Sequence, residues 1–209
     1  MRPLTDELPK PLIPVKGKSL IQYHIEKLVN AGIRQVVINH AWLGHKLEEM
    51  LGDGSQFKIN IQYSPEVDAL ETAGGIVNAL PLLGNDPFLV LNGDVYCDVN
   101  IMHFCSEPFA GLAKLLLVSN PGHNPEGDFG IENRQLIPKS DTSPNYTFSG
   151  IALYHPAFFQ GLTVEKSPLA PLIRSHLQQN NLVEAQLYRG RWSDVGTPQR
   201  LAELEQELS

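Results

Sequence analysis

Only two cysteines occur in 209 residues, Cys97 and Cys105. That excludes a disulfide-stapled secreted fold, and their spacing matches neither a zinc signature nor Cys-x-x-Cys. Reduced thiols point to a cytoplasmic protein. No apolar run approaches the roughly 18 residues of a membrane span, and no signal peptide is visible, so a membrane partner is not expected. Basic excess is also absent: the net charge is −7, which argues against nucleic acid as a partner. An anionic substrate would therefore need a locally basic pocket. The seven histidines form no His-x-x-x-His pair. There is no Gly-x-Ser-x-Gly elbow, no Walker motif and no Gly-x-Gly-x-x-Gly. No repeat or low-complexity tract interrupts the chain. What remains, 42% hydrophobic and 19% charged, is the composition of a globular protein able to bury a core, and the length suits one domain over 1–209.

The organising stretch is Phe88-Leu-Val-Leu-Asn-Gly-Asp94. Residues 88–93 read as a buried strand ending in a carboxylate, and open α/β sheets bind ligands at the carboxyl ends of strands. Asp94 is thus a candidate ligand for a divalent cation, although Asn-Gly-Asp also makes ordinary turns. Trp192-Ser-Asp194-Val-Gly-Thr197 holds a second candidate. The reading is that Asp94 and Asp194 meet at one pocket and hold Mg²⁺ against a nucleoside triphosphate.

Residues 1–18 form a proline-rich loop with prolines at 3, 9, 11 and 14. Proline stiffens the backbone, so Lys10 is either a solvated surface lysine or a rigidly presented cation for phosphate. From Ser19 the pattern alternates: helix to about Ala31 stopped by Gly32, strand 33–39, helix 44–51, strand 57–63, then Leu70-Glu-Thr-Ala-Gly-Gly-Ile76 leading into a helix to about Leu83. Such alternation argues for a mostly parallel sheet with crossover helices. Gly74-Gly75 at a helix start either lets backbone amides approach a ligand or packs the helix N-terminus tightly on a strand. Strands are expected at 112–118, 129–132, 135–137 and 147–154, and near 184–188. Helices are expected at 170–179 and after Thr197-Pro198, with Thr197 as N-cap. Residues 119–150, rich in Pro, Gly, Asn and Asp, are read as a strand-rich lid. Asp128 and Gly150 there are candidates for the second substrate, with turn chemistry as the plain alternative.

Taken as a set, Arg2-Pro-Leu-Thr with Pro9-Lys10-Pro, Leu70-Glu-Thr-Ala-Gly-Gly, Asn92-Gly-Asp94, Phe148-Ser-Gly150 and Trp192-Ser-Asp194-Val-Gly-Thr resemble the sugar-1-phosphate nucleotidylyltransferases. The likeness covers nearly the whole chain. Ile38-Asn-His-Ala-Trp-Leu43 and Gly127-Asp-Phe129 look most like the branch that uridylylates N-acetylmuramic acid 1-phosphate in cell-wall recycling; mannose-1-phosphate guanylyltransferases are the alternative. The resemblance implies a Rossmann-like, GT-A-like α/β fold with a mixed sheet flanked by helices. It implies Mg²⁺ as cofactor, a nucleoside triphosphate and a sugar 1-phosphate as partners, and a monomer or small homo-oligomer. By it, Lys10 is the catalytic phosphate-binding lysine and Asp94 and Asp194 are the metal carboxylates. Thr72, Gly74, Gly75 and Asn92 lie on the nucleotide side, and Asp128 and Gly150 on the sugar-phosphate side.

One part of the pattern is absent. The family opens with a central strand and Gly-x-Gly-x-Arg, whereas Met1-Arg2-Pro3 begins inside that signature. The expectation is that the natural protein starts upstream, by roughly a dozen residues for a strand and loop. Two other readings predict different behaviour. A non-catalytic nucleotide-sugar sensor would release no pyrophosphate. A structural α/β module would show no triphosphate-dependent rise in melting temperature.

Overall fold

A computed structural model describes Met1 and residues 4–208; Arg2-Pro3, the start of the first motif, lies outside the described residues. In chain order the elements are α1 (Leu4–Glu7), β1 (Pro14–Val15), β2 (Lys18–Ser19), α2 (Leu20–Asn30), β3 (Gln35–His40), α3 (Gly44–Leu51), β4 (Asn60–Pro65), α4 (Glu71–Leu83), β5 (Phe88–Leu91), β6 (Val95–Cys97) and α5 (Ile101–Ser106). Then follow β7 (Ala113–Val118), β8 (Phe129–Glu132), β9 (Gln135–Pro138), β10 (Asn145–Tyr154), α6 (Leu169–Gln178), β11 (Val183–Tyr188), β12 (Trp192–Asp194) and α7 (Pro198–Glu207). Short 3₁₀ turns cover Lys10–Leu12, Ser55–Phe57 and Pro156–Phe159.

The chain divides into two compact units. One comprises Met1–Ala69, Asn92–Phe104 and Arg191–Ser209, the other Leu70–Leu91 and Cys105–Gly190.

In the first unit, local chemistry sets the helices. Gln22 Oε1 accepts from Ser19 N at 3.1 Å, the return half of a capping box at the start of α2. Its end follows the expected rule: Gly32 has φ +83°, and Ile33 N reaches back to Leu28 O at 2.9 Å. Leu20, Ile25 and Leu28 are buried. The strand expected at 57–63 begins later. Phe57 closes a 3₁₀ turn, and Lys58 at φ +62° turns the chain before β4. β3 and β4 then pair in parallel, from Gln35 opposite Asn60 to His40 opposite Pro65. β6 and β12 pair antiparallel, Trp192 opposite Cys97 and Asp194 opposite Val95. A core of Val15, Leu20, Tyr96, Val195 and Leu204 joins β1, α2, β6 and α7.

The second unit is built on a six-stranded sheet in the order β5-β10-β7-β11-β9-β8. Phe88, Leu115, Leu117, Phe129, Ala152, Tyr154 and Ala185 form its core with Ile76 and Val77 of α4 and Ile173 of α6. The expected mixed sheet is present, but among the described residues parallel pairing is confined to β7–β11 here and β3–β4 in the first unit. The other ladders run antiparallel. One reason is local: Asn133 and Arg134, at φ +49° and +66°, form the tight turn of a β8–β9 hairpin closed by Glu132 opposite Gln135. Residues 119–150 accordingly contribute β8, β9 and the first half of β10 to this sheet. β10 carries a register shift between Phe148 and Ala152, with Gly150 at φ +78° inside it, which is bulge geometry.

Candidate active site

The first unit gathers Lys10, Asp94 and Asp194 from three distant stretches. Lys10 opens a one-turn 3₁₀ helix behind Pro9, which is extended at φ −65°, ψ 146°. Leu12 N bonds Pro9 O at 2.9 Å, and Ile13 N bonds Lys10 O at 3.0 Å. Leu12 and Ile13 are buried, so the turn is nailed down by apolar side chains while the ammonium group projects outward. Its Nζ lies 3.2 Å from Asp94 Oδ2.

Asp94 is held from the other side. The predicted strand stops at Leu91, and Asn92–Val95 is a turn closed by Val95 N to Asn92 O at 3.1 Å. Gly93 is needed there. A Cβ on it would meet the Pro11 ring at 2.9 Å, so the turn and the proline loop touch through a missing side chain. Asp94 therefore takes its direction from a turn and not from strand alternation.

Asp194 ends β12. Val195 N donates to Asp94 O at 2.8 Å, so the two carboxylate carriers are neighbours at the end of one short ladder. Arg200 Nη1 donates to Asp194 Oδ2 at 2.6 Å. Arg200 stands one turn into α7, where its backbone N is capped by Thr197 Oγ1 at 3.2 Å, as expected for that N-cap. Its Nε also approaches Thr197 Oγ1, at 3.4 Å. A Cβ on Gly196 would collide with the guanidinium. Arg200 carries no sequence motif of its own and was not a candidate.

His24, one of the seven histidines that form no ligand pair, is a core residue: it is buried in α2, and its Nε2 has no hydrogen-bond partner among the described residues. Burial pushes its pKa down to about 4, and the Lys27 charge adds to this. The carbonyls of Val95 and Asn92 and the Asp94 carboxylate pull weakly the other way. A neutral imidazole thus underlies the turn that carries Asp94. Nearby, burial raises the Cys97 thiol to about 11, which makes it inert as a nucleophile at neutral pH. A cleft of about 510 Å³ opens beside Lys10, lined also by Thr5, Asp6, Asn39, His40, Trp42 and Leu47. Trp42 is 72% exposed there, and His40 Nε2 is anchored to Glu48 at 2.8 Å.

Among the described residues no cluster of three His, Cys, Asp or Glu is arranged to hold a metal. Two carboxylates still suit Mg²⁺, which is commonly bound through one or two carboxylates with substrate phosphates and water completing its shell.

Of the remaining candidates, Thr72, Gly74, Gly75, Asp128 and Gly150 lie in the second unit. Ala73 N and Gly74 N both donate to Ser167 O, at 3.0 and 3.1 Å. A Cβ on Gly74 would strike the Glu165 carbonyl. The geometry assigns Gly74 to close packing, against the loop at 165–167 and not against the strand of the plain alternative, and its N–H is committed within the unit. Thr72 and Gly75 sit in the first turns of the same helix. Asp128 Oδ2 accepts from Phe148 N at 2.9 Å, and Oδ1 accepts from Asn124 Nδ2 at 3.1 Å. Oδ2 ties the loop to β10 and Oδ1 closes the loop on Asn124, which is turn chemistry. Gly150 is buried in the β10 bulge, where Ser149 Oγ bonds Leu116 O at 2.7 Å. Asn92 belongs to the first unit and closes the Asp94 turn through its carbonyl.

The class follows from the fold. The chain superposes with a TM-score of 0.83, at 23% identity, on a putative glucose-1-phosphate thymidylyltransferase from Bacillus anthracis solved with sucrose, covering 99% of this chain and 89% of that one. HddC from Yersinia pseudotuberculosis, solved with GMP-PN, superposes at 0.81 with 16% identity over 100% and 94%. The fold is that of the nucleotidyltransferases. Residues 1–209 match the model of the nucleotidyl transferase family, and the chain belongs to that family. It is 48% identical, over 98% of its length and 91% of the other's, to the N-acetylmuramate alpha-1-phosphate uridylyltransferase of Neisseria meningitidis serogroup B. It is 29% identical to the mannose-1-phosphate guanylyltransferase catalytic subunit beta of Danio rerio, over 95% of this chain and 58% of that one. Among the described residues no helix is long and apolar enough to cross a membrane.

Proposed function

We propose that the protein transfers a uridylyl group from UTP to N-acetylmuramic acid 1-phosphate, forming the nucleotide sugar and releasing pyrophosphate. The observation that carries this reading is the 48% identity, nearly end to end, with an enzyme named for that reaction. The guanylyltransferase likeness is weaker, at 29%.

The chemistry suits the residues. A sugar 1-phosphate, with a second pKa near ~6, is largely dianionic at neutral pH and attacks the α-phosphorus without a general base. The barrier is repulsion between two anions and in-line alignment. The Lys10 ammonium, braced by Pro9 and Pro11 and lying 3.2 Å from Asp94, offers a fixed positive charge to the phosphates. Asp94 and Asp194 would hold Mg²⁺, which supplies charge neutralisation and Lewis-acid polarisation when bound. Gly93 keeps the Asp94 turn against the proline loop, so the cation and the carboxylate share one frame.

Pyrophosphate release, measured with UTP, GTP, CTP, ATP and dTTP against a panel of sugar 1-phosphates with and without Mg²⁺, tests the proposal. UTP with N-acetylmuramic acid 1-phosphate should be the best pair. Preference for GTP and mannose 1-phosphate would transfer the reading to the guanylyltransferase branch.

A further inference from the structure

Each proposed metal carboxylate carries its own cation in this chain. Lys10 meets Asp94 at 3.2 Å, and Arg200 meets Asp194 at 2.6 Å. The second pair is the better built. Its side chains are only 22% and 31% exposed, whereas exposed pairs that move freely contribute little. Arg200 is fixed at several points: its backbone N and Nε address Thr197 Oγ1, and the guanidinium occupies space that any side chain at position 196 would fill. Guanidinium does not deprotonate in proteins, so this charge is constant across the working pH range.

We propose that Arg200 is a positioning residue that orients Asp194 and, by compensating its charge, keeps the carboxylate pair from taking a divalent cation ahead of the nucleoside triphosphate. The inference rests on the transferase reading above and deepens it. Two carboxylates set against an ammonium and a guanidinium sum to no net charge. A strongly hydrated Mg²⁺ gains little from such a quartet. A triphosphate brings the missing negative charge and offers the two cations new partners, so cation and nucleotide enter together. A purely architectural Arg200, stapling the first turn of α7 to β12, predicts something different: its loss would lower stability and leave metal affinity unchanged or weaker.

Binding of Mn²⁺ to the full chain, followed by the electron paramagnetic resonance signal of free Mn²⁺, separates the two. Without nucleotide, Arg200→Leu and Arg200→Gln should bind Mn²⁺ roughly tenfold more tightly than the unmodified protein, the order expected when one neighbouring charge is removed near a protein surface. Arg200→Lys should stay close to the unmodified protein, and adding Asp194→Asn to Arg200→Leu should erase the gain. Should Arg200→Leu fail to fold, Arg200→Gln, which keeps a donor at the same site, carries the test. A folded neutral variant whose nucleotide-free affinity is unchanged or weaker overturns the proposal. If the unmodified protein still releases pyrophosphate in that case, the transferase reading stands and only the role of Arg200 falls. If it releases none with any triphosphate, both fall.

Discussion

Asp94 and Asp128 both stand beside an Asn or Gly in turn-rich sequence, yet their surroundings differ in kind. Asp94 meets a lysine 84 positions away in sequence and is partly exposed at the end of a short ladder. Asp128 gives both oxygens to its own neighbourhood, a backbone amide of β10 and the Asn124 amide. The first carboxylate is opposed by a partly exposed cation that a phosphate can win over. The second is satisfied by donors that its loss would leave part-buried and unpaired. Satisfaction by local backbone marks a carboxylate that builds the fold; opposition by a distant cation marks one placed for a ligand.

The comparison breaks most readily on rate. Asp94→Ala, Asp194→Ala and Lys10→Ala should each lower pyrophosphate release on the order of 100–1000-fold, the usual cost of one electrostatic contact to a transition state, with melting curves close to the parent. Near-normal release from Asp94→Ala would end its assigned role. Next comes acid stability. His24 has its pKa lowered from 6.5 to about 4, so its contribution is fully present above 6.5 and is lost as pH falls toward 4. That amounts to about 3 kcal/mol. Chemical denaturation across this pH window should show the loss, and His24→Phe should flatten it. A parent curve that is already flat would contradict the buried neutral imidazole. Asp128→Ala should cost about 1–3 kcal/mol by leaving Phe148 N unpaired. It should lower the melting temperature with little change in rate per folded molecule; an intact melting temperature with a raised KM for the sugar phosphate would return Asp128 to the site. Smallest is Thr197→Ala, which removes a helix cap worth about 1 kcal/mol. Its effect on rate, relative to that on stability, sharpens how firmly α7 must hold Arg200.

Much of the architecture was legible because it is local. The starts of α2 at Ser19 and of α7 at Thr197-Pro198 follow from side chains bonding backbone within a turn, and the stops of α2 at Gly32 and of α3 at Gly52 follow from glycine's access to positive φ. The expected strand at 57–63 slipped because Lys58 adopts a left-handed conformation that no local pattern announces. β6 and β12 were not expected at all. Each has three residues, too few for a period, and each exists only because the other pairs with it. Gly74 and Gly150 were noticed for the right reason, an unusual need for space or backbone freedom. What fills that space, the Glu165 carbonyl beside Gly74 and a bulge around Gly150, was not written nearby.

By itself the sequence determined the kinds of groups available and the family to which they belong: a proline-braced lysine, an aspartate in Asn-Gly-Asp and another in Trp-Ser-Asp, and alternating helices and strands. Those are properties of residue type and short-range spacing. Only tertiary structure decided that Val195 would bond Asp94, that Arg200 would stand against Asp194, that His24 would lie neutral beneath the turn, and that Asp128 would be consumed by its own loop. Each of these depends on which distant backbone ends up a few ångströms away, and that is settled by burial of side chains such as Val15, Leu20, Val195 and Leu204, whose apolar surface drives association without specifying the polar contacts it brings together.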